Sequence, residues 1–378
     1  MLQFVLGRAG SGKTETVRRM LADRALAGDG RCMMLVPEQY SFETEKAMLR
    51  LAGPQRANAI GVYSFTRLAE TVFRKEGGAA GRRLSDGGRR ILMSSAIAAC
   101  QDHLEVYRAA AQSGRVTDLM LTAVNEMKMC GIAPGDLFRT ATGLPGKGLG
   151  QKIRELALLY ETYDALVAAS YLDARDDLTR LAEALEGSAF IAGYTVAVDS
   201  FEGFTVQELK VLGQVMRRAD TVVVSLCTDG QGGPDGLFSL VDRTHSRLRR
   251  LAEDQGVKVL PPVMLTGAPR FHNESLKLVE AGLFGGEEGL AAEDSQGVMV
   301  CKARDVFQES EFVASSIRRL VREKGWRYRD ISIICREPQR YYGSLDVALG
   351  KLGIPCFMSQ PMRVDAEPVM RFALGAFS

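Results

Sequence analysis

"VLGRAGSGKTETV", residues 5–17, places Gly7, Gly12, Lys13 and Thr14 in the pattern G-x-x-x-x-G-K-[ST]. The preceding "LQFVL", residues 2–6, is apolar and predicts a buried strand. Residues 13–27 predict a helix with Val17, Met20, Leu21 and Ala25 on one face. Strand, glycine loop and helix in this order form the context in which the pattern cradles phosphate. Gly7, Gly10 and Gly12 free the backbone to wrap phosphates with its N–H groups turned inward, and the helix N-terminus adds partial positive charge. The expected nucleotide-binding residues are therefore Gly7, Arg8, Ala9, Gly10, Ser11, Gly12, Lys13 and Thr14. Lys13 is expected on the β- and γ-phosphates of ATP and the Thr14 hydroxyl on Mg²⁺.

Moving outward, 378 residues suffice for two or three domains, and 46% apolar content can fill their cores. With 48 basic and 46 acidic residues the net charge is only +2, so global charge does not announce a nucleic-acid binder. Seven scattered cysteines form no C-x-x-C, which writes neither a zinc site nor a redox pair into the chain. His103, His245 and His272 stand far apart and read as incidental. The short apolar start runs straight into the glycine loop, unlike a signal peptide, and no apolar run reaches membrane-spanning length. The expectation is a cytoplasmic protein with reduced thiols and no membrane partner.

Further strands are expected at "RCMMLVP" (31–37), "AIGVY" (59–63), "YTVAVDSF" (194–201) and "TVVVSL" (221–226). Between them, past the Gly/Arg-rich stretch 76–90, apolar residues recur at helical spacing: Val116, Leu119, Met120, Ala123, Val124 and Met127, then Ile153, Leu156, Ala157, Tyr160, Tyr163 and Val167. The loop "TGLPGKGLG" (142–150) divides these two helices, and Gly-rich loops are expected at 229–236 and 282–297. A new α/β unit is expected to follow, with strands at 297–301, 331–335 and 354–357 and a helix over about 305–324. The fold expected is α/β: a P-loop, RecA-like domain in two segments (1–80 and 186–295), an all-helical insertion (81–185), and the start of a second RecA-like domain (296–378). The ending "MRFALGAFS" reads as a helix and a truncated chain.

Five stretches in order carry a resemblance: "VLGRAGSGKT", "MLVPEQYSFETE" (34–45), "VYSFTRLAE" (62–70), "VDSFEGFTVQE" (198–208), and "KGWRYRDISIICREPQRYY" (324–342) with "GIPCFM". Together they resemble UvrD-type superfamily 1 helicases and, more closely, the AddB family of helicase–nuclease subunits. The resemblance implies that Asp199 is the acid that partners the P-loop at Mg²⁺. It implies that Gln39, Ser64 and Phe65 face single-stranded DNA. It further implies an AddA-type helicase–nuclease partner carrying the motor, DNA substrates that include single strands and duplex ends, and recognition of a Chi-type recombination hotspot in double-strand-break repair. An iron–sulfur cluster and a nuclease domain are implied only for a region beyond residue 378. Plainer readings stand beside these: Ser64 as a helix N-cap, Phe65, Phe201 and Phe204 as core residues, and Arg82, Arg83, Arg89 and Arg90 as a solvated face.

The sequence also departs from a motor. Ser200 occupies the place where such helicases carry a glutamate base, leaving no assigned catalytic residue, and a serine hydroxyl activates water poorly near neutral pH. Glu202 lies two residues on. Only Met1–Leu6 precedes the P-loop, where motors carry an adenine-reading glutamine, and "CTDGQGG" follows the strand 221–226 in place of a coupling loop. The expectation is ATP binding with weak hydrolysis. Two alternatives remain open: an active ATP-driven helicase and a P-loop kinase of a small molecule.

Overall fold

A computed structural model describes residues 1–28, 30–110, 114–144, 147–230, 236–282, 297–357 and 367–377. Of the expected Gly-rich loops, residues 231–235 and 283–296, and 145–146 of 142–150, lie outside the described residues. The chain forms two compact units, Met1–Asp294 and Ser295–Ser378.

The first unit opens with β1 (Leu2–Gly7), α1 (Lys13–Leu26), β2 (Cys32–Leu35), α2 (Ser41–Ala52), the short α3 (Pro54–Ala57), β3 (Ile60–Tyr63) and α4 (Phe65–Glu76). A helical stretch follows: α5 (Asp86–Cys100), α6 (Gly114–Met129), α7 (Pro134–Gly143), α8 (Lys147–Ala168) and α9 (Asp177–Gly187). The unit closes with β4 (Thr195–Val198), α10 (Val206–Arg218), β5 (Thr221–Cys227), α11 (Ser239–Asp254), β6 (Val263–Leu265) and α12 (Glu274–Gly282). The six strands form one sheet in the order β3-β2-β4-β5-β1-β6, with every ladder parallel. The chain is therefore α/β, as expected. The strand β6 is not anticipated by the sequence pattern: it holds three residues and follows Pro261 and Pro262, which mask it.

Both faces of the sheet are covered, so its strands read as continuous apolar runs. The period of two still sorts their side chains. Leu2, Phe4, Leu6, Val196, Val198, Val222 and Val224 pack with α4, α9, α10 and α11 residues such as Leu68, Leu185, Val215 and Leu248. Val5, Ala197 and Val223 pack on the other face with Val17, Leu21 and Ala25 of α1 and Met48 of α2. This second face carries the candidate site, because the residue two beyond Ala197 is Asp199 and the residue two beyond Val223 is Ser225.

The helical stretch has a core of its own, built from Met93, Ile97, Leu104, Val124, Leu159 and Tyr163. It also encloses charge. Lys128 is buried with its ammonium 2.9 Å from Asp164 and 2.8 Å from Asp176. Burial alone would lower its pKa, but the two carboxylates raise it. Of the four arginines expected on a solvated face, Arg82, Arg83 and Arg90 are exposed, Arg83 and Arg90 pairing with Asp177 at 2.7 Å and Asp118 at 2.9 Å, whereas Arg89 is buried 3.4 Å from Asp173. A buried guanidinium needs a partner, and Asp173 supplies it for Arg89.

In the second unit α13 (Val306–Lys324), α14 (Leu345–Lys351) and α15 (Pro368–Phe377) are present. Asp305 caps α13, accepting from the Gln308 N–H, and Gly325 closes it at φ 70°. Ala314, Ile317, Leu345, Leu349 and Ile354 form a small core. The expected strands at 297–301, 331–335 and 354–357 do not pair into a sheet among the described residues. A buried parallel strand needs cover on both faces, whereas Val300 and Ile334 are each 93% exposed and Phe357 is 92% exposed.

Candidate nucleotide site

The glycine loop leaves β1 at Gly7 and enters α1 through Gly12. Gly10 and Gly12 sit at φ 76° and 94°, left-handed conformations that a side chain resists. At Gly7 the constraint is space: a Cβ would run into Ser11 Oγ and lie 2.8 Å from the Leu265 carbonyl oxygen. Gly12 caps α1 with no side-chain hydrogen bond, so the helix offers its first N–H groups to a ligand. Ser11 is buried and its Oγ has no hydrogen-bond partner. Lys13 folds back over the loop, donating from Nζ to the Gly7 and Arg8 carbonyl oxygens at 2.8 Å each. Arg8 turns away from the loop, donating from Nε to Glu280 Oε1 at 3.0 Å and from its terminal nitrogen to the Glu280 carbonyl at 2.7 Å.

Asp199 follows β4 directly and is buried. The Thr14 hydroxyl donates to its Oδ1 at 3.2 Å and the Ser200 hydroxyl to its Oδ2 at 3.0 Å. Ser225, near the end of β5, donates to Oδ1 as well. Because β5 lies between β1 and β4, its hydroxyl reaches the acid that follows the neighbouring strand. Sequence reasoning misses Ser225, because "TVVVSL" reads as a plain buried strand; the available signal is one hydroxyl within an apolar run. Ser200 is the only non-glycine residue with positive φ among the described residues, at 68°.

These groups suit a nucleotide with Mg²⁺. Mg²⁺ binds through one or two protein oxygens and completes its shell with phosphate and water, and Asp199 with Thr14 supplies that set. The glycine cradle excludes side chains where phosphate oxygens would lie, and the orphaned Ser11 hydroxyl has a partner to gain. Among the described residues no group of three or more His, Cys, Asp and Glu could hold a metal alone.

The residues expected to face DNA separate. Gln39 is exposed in a short turn, Glu38–Tyr40, just beyond β2. Ser64 is buried and caps α4, its hydroxyl accepting from the Arg67 N–H at 3.2 Å. Phe65 is buried with its ring centroid 5.6 Å from Phe201 and 6.4 Å from Phe204. In this conformation neither Ser64 nor Phe65 offers a surface to a strand of DNA. Glu202 is exposed, and its backbone carbonyl accepts from Thr244 Oγ1 at 3.1 Å. Among the described residues no helix is long and apolar enough to cross a membrane.

A fully parallel α/β sheet with a glycine loop and a lysine after β1 and a buried acid after β4 defines the class. The protein-family model described as "ADDB, N-terminal" matches residues 4–280, and the chain belongs to that family. Similar proteins, each named as a subunit of an ATP-dependent helicase/deoxyribonuclease, include one from Thermoanaerobacter sp. (31% identical over 100% of this chain and 33% of the relative) and one from Desulforudis audaxviator (35% over 99% and 33%). A third, from Pelotomaculum thermopropionicum, is 32% identical over 99% of this chain and 33% of its own length. The chain thus spans about one third of the length of these relatives.

Proposed function

We propose that residues 1–294 form a RecA-like nucleotide-binding unit that holds ATP with Mg²⁺ and hydrolyses it slowly, within a subunit of an ATP-dependent helicase/deoxyribonuclease. The observation that carries the proposal is the buried Asp199 carboxylate, which takes hydroxyl hydrogen bonds from Thr14 in the first turn of α1 and Ser225 on β5. On this reading the loop N–H groups and Lys13 bind the β- and γ-phosphates, Lys13 exchanging the Gly7 and Arg8 carbonyls for phosphate oxygens. Charge-assisted contacts of that kind are about twice as strong as neutral ones. Thr14 and Asp199 would hold Mg²⁺, which supplies charge neutralisation at the phosphates.

Slow turnover follows from Ser200. Its hydroxyl is spent on Asp199 and has no basicity near neutral pH, so the step that removes a proton from attacking water lacks its acceptor. An active helicase or a kinase would need that acceptor from elsewhere. The partner is then an AddA-type subunit carrying the motor, and the role of this part is to bind single-stranded DNA near Gln39 and contribute to reading a Chi-type sequence. With a net charge of +2, affinity must come from local placement of basic and stacking groups, and binding should weaken with salt.

The test is ATP turnover with and without single-stranded DNA, alongside fluorescence anisotropy of labelled DNA at two salt concentrations. Slow, weakly stimulated turnover with salt-sensitive binding is expected. Brisk, DNA-stimulated hydrolysis by this chain alone would overturn the reading.

A further inference from the structure

The strand β6 pairs with β1 so that Leu265 lies beside Gly7, and the chain that follows is thereby brought to the glycine loop. Its turn rests on the loop, the Arg270 N–H donating to the Gly10 carbonyl at 3.3 Å. The chain then enters α12, a helix of nine residues in which only Ser275 is buried. A helix this short is marginal by itself in water, and one that buries so little gains little from packing.

What holds the C-terminal end of α12 comes from the loop. Arg8 donates from Nε to Glu280 Oε1 at 3.0 Å and from a terminal nitrogen to the Glu280 backbone carbonyl at 2.7 Å. Glu280 stands two residues before the end of α12, so its carbonyl is among the last four, which have no partner within a helix. A guanidinium there satisfies the orphan acceptor and opposes the negative end of the helix dipole. Arg8 is therefore a cap for a helix residue 272 positions away. The rest of its guanidinium is also braced, 3.6 Å from Asp229, which follows β5, and 5.4 Å over the ring of Phe238, which precedes α11. Held on three sides, the side chain is tied to the backbone that carries it.

That backbone is gripped by the group expected to bind phosphate. Lys13 Nζ donates to the Arg8 carbonyl at 2.8 Å, and the Ser11 N–H donates to the same oxygen at 3.3 Å. A phosphate that takes Lys13 and the loop N–H groups changes the hold on the peptide from which Arg8 extends, and replaces weak internal bonds with a fixed ligand.

We propose that α12 is a nucleotide-responsive helix, with Arg8 relaying occupancy of the glycine loop to its C-terminal end so that bound triphosphate orders it. The proposal rests on the reading of the glycine loop as a phosphate cradle, and adds how its occupancy is felt elsewhere in the unit. Arg8 is then a positioning residue rather than a phosphate ligand. The coupling is reciprocal, so whatever orders α12 also favours triphosphate in the loop.

The test is amide hydrogen exchange of the whole chain without nucleotide and at saturating Mg–ATP, saturation being set by calorimetry for each protein. In wild type, ATP should slow exchange in α12 by about fivefold or more, the lower range of allosteric coupling, and slow α10 less. Arg8→Ala should exchange faster in α12 without nucleotide, and ATP should no longer slow it. Glu280→Gln, which lies outside the cradle and keeps the backbone carbonyl, should bind ATP and show a reduced response. If Arg8→Ala does not fold or does not bind ATP, Glu280→Gln carries the test, and a response equal to that of wild type would overturn the relay. An unchanged α12 in ATP-saturated wild type would overturn the relay and leave the cradle standing. So would an undiminished response in Arg8→Ala, or equal slowing of α10 and α12, which would mean that ATP stabilises the unit as a whole. Failure of wild type to bind ATP would remove the cradle and the relay together.

Discussion

The Thr14 hydroxyl lies 3.2 Å from Asp199 Oδ1, although the two residues are 185 positions apart in the chain. Thr14 lies in the first turn of α1 and Asp199 directly follows β4, with β5 and its Ser225 between β1 and β4 in the sheet. Asp199→Asn keeps an oxygen for these hydroxyls but removes the charge. Most of the gain in ATP affinity that Mg²⁺ brings should be lost while the melting temperature moves little. Titrations with and without Mg²⁺ read this directly, and an undiminished gain would remove Asp199 from the metal site.

Ser200 holds φ 68° and donates to Asp199. Ser200→Gly relieves a backbone cost of about 1–2 kcal/mol and forfeits a hydrogen bond worth about 1 kcal/mol. Thermal stability should therefore stay near that of wild type. Ser200→Glu places a carboxylate where a base is missing and should raise ATP turnover, a general base being worth on the order of 10²–10⁴ in rate. Turnover unchanged in Ser200→Glu would mean that the missing base is not what limits hydrolysis.

Phe65 is a packing residue in this conformation, so Phe65→Ala should destabilise the first unit by about 3–5 kcal/mol, as buried aromatic truncations do. Denaturant titration measures this. Gln39→Ala, at an exposed position, should lower single-stranded DNA affinity without moving stability. A stable Phe65→Ala protein with impaired DNA binding would instead return Phe65 to the DNA-binding face.

Half-buried His245 packs edge-on against Phe4, with ring centroids 4.3 Å apart. Burial lowers its pKa below the ordinary 6.5, against the opposing pull of Asp242. The unfolded chain then binds the proton more readily than the folded one, so the stability present above pH 6.5 is lost as pH falls toward the folded value. Melting temperature should fall less in His245→Gln than in wild type as pH is lowered from about 7.5 through the acid side of 6.5. An equal fall would show that other groups carry the acid sensitivity.

Much of the site is legible in the sequence because it is local. The glycine loop, β1 and α1 follow from one short run of consecutive residues, and Asp199 stands out as an acid directly after a buried run. Legibility ends where contacts are long-range. Ser225 gains meaning only through strand order, which puts β5 between β1 and β4. The turn 266–272 reaches the loop only because the three-residue β6 pairs with β1. Arg89 gives the same lesson in reverse, since a Gly/Arg-rich stretch reads as solvated until Asp173 comes from another element to pair with it. In the second unit the apolar runs look like strands, but sheet formation depends on neighbours that no local pattern supplies.

Uptake of triphosphate by Lys13 and the glycine loop is the central claim. The most direct measurement is isothermal titration of Mg–ATP into the wild-type chain and into Lys13→Ala. Among the described residues Lys13 donates to the Gly7 and Arg8 carbonyls, so its loss should leave the fold intact. The charge-assisted phosphate contact it would make is worth about 1.5–3 kcal/mol, which predicts an affinity roughly 10- to 100-fold weaker in the variant. Equal affinity in the two proteins would contradict the claim.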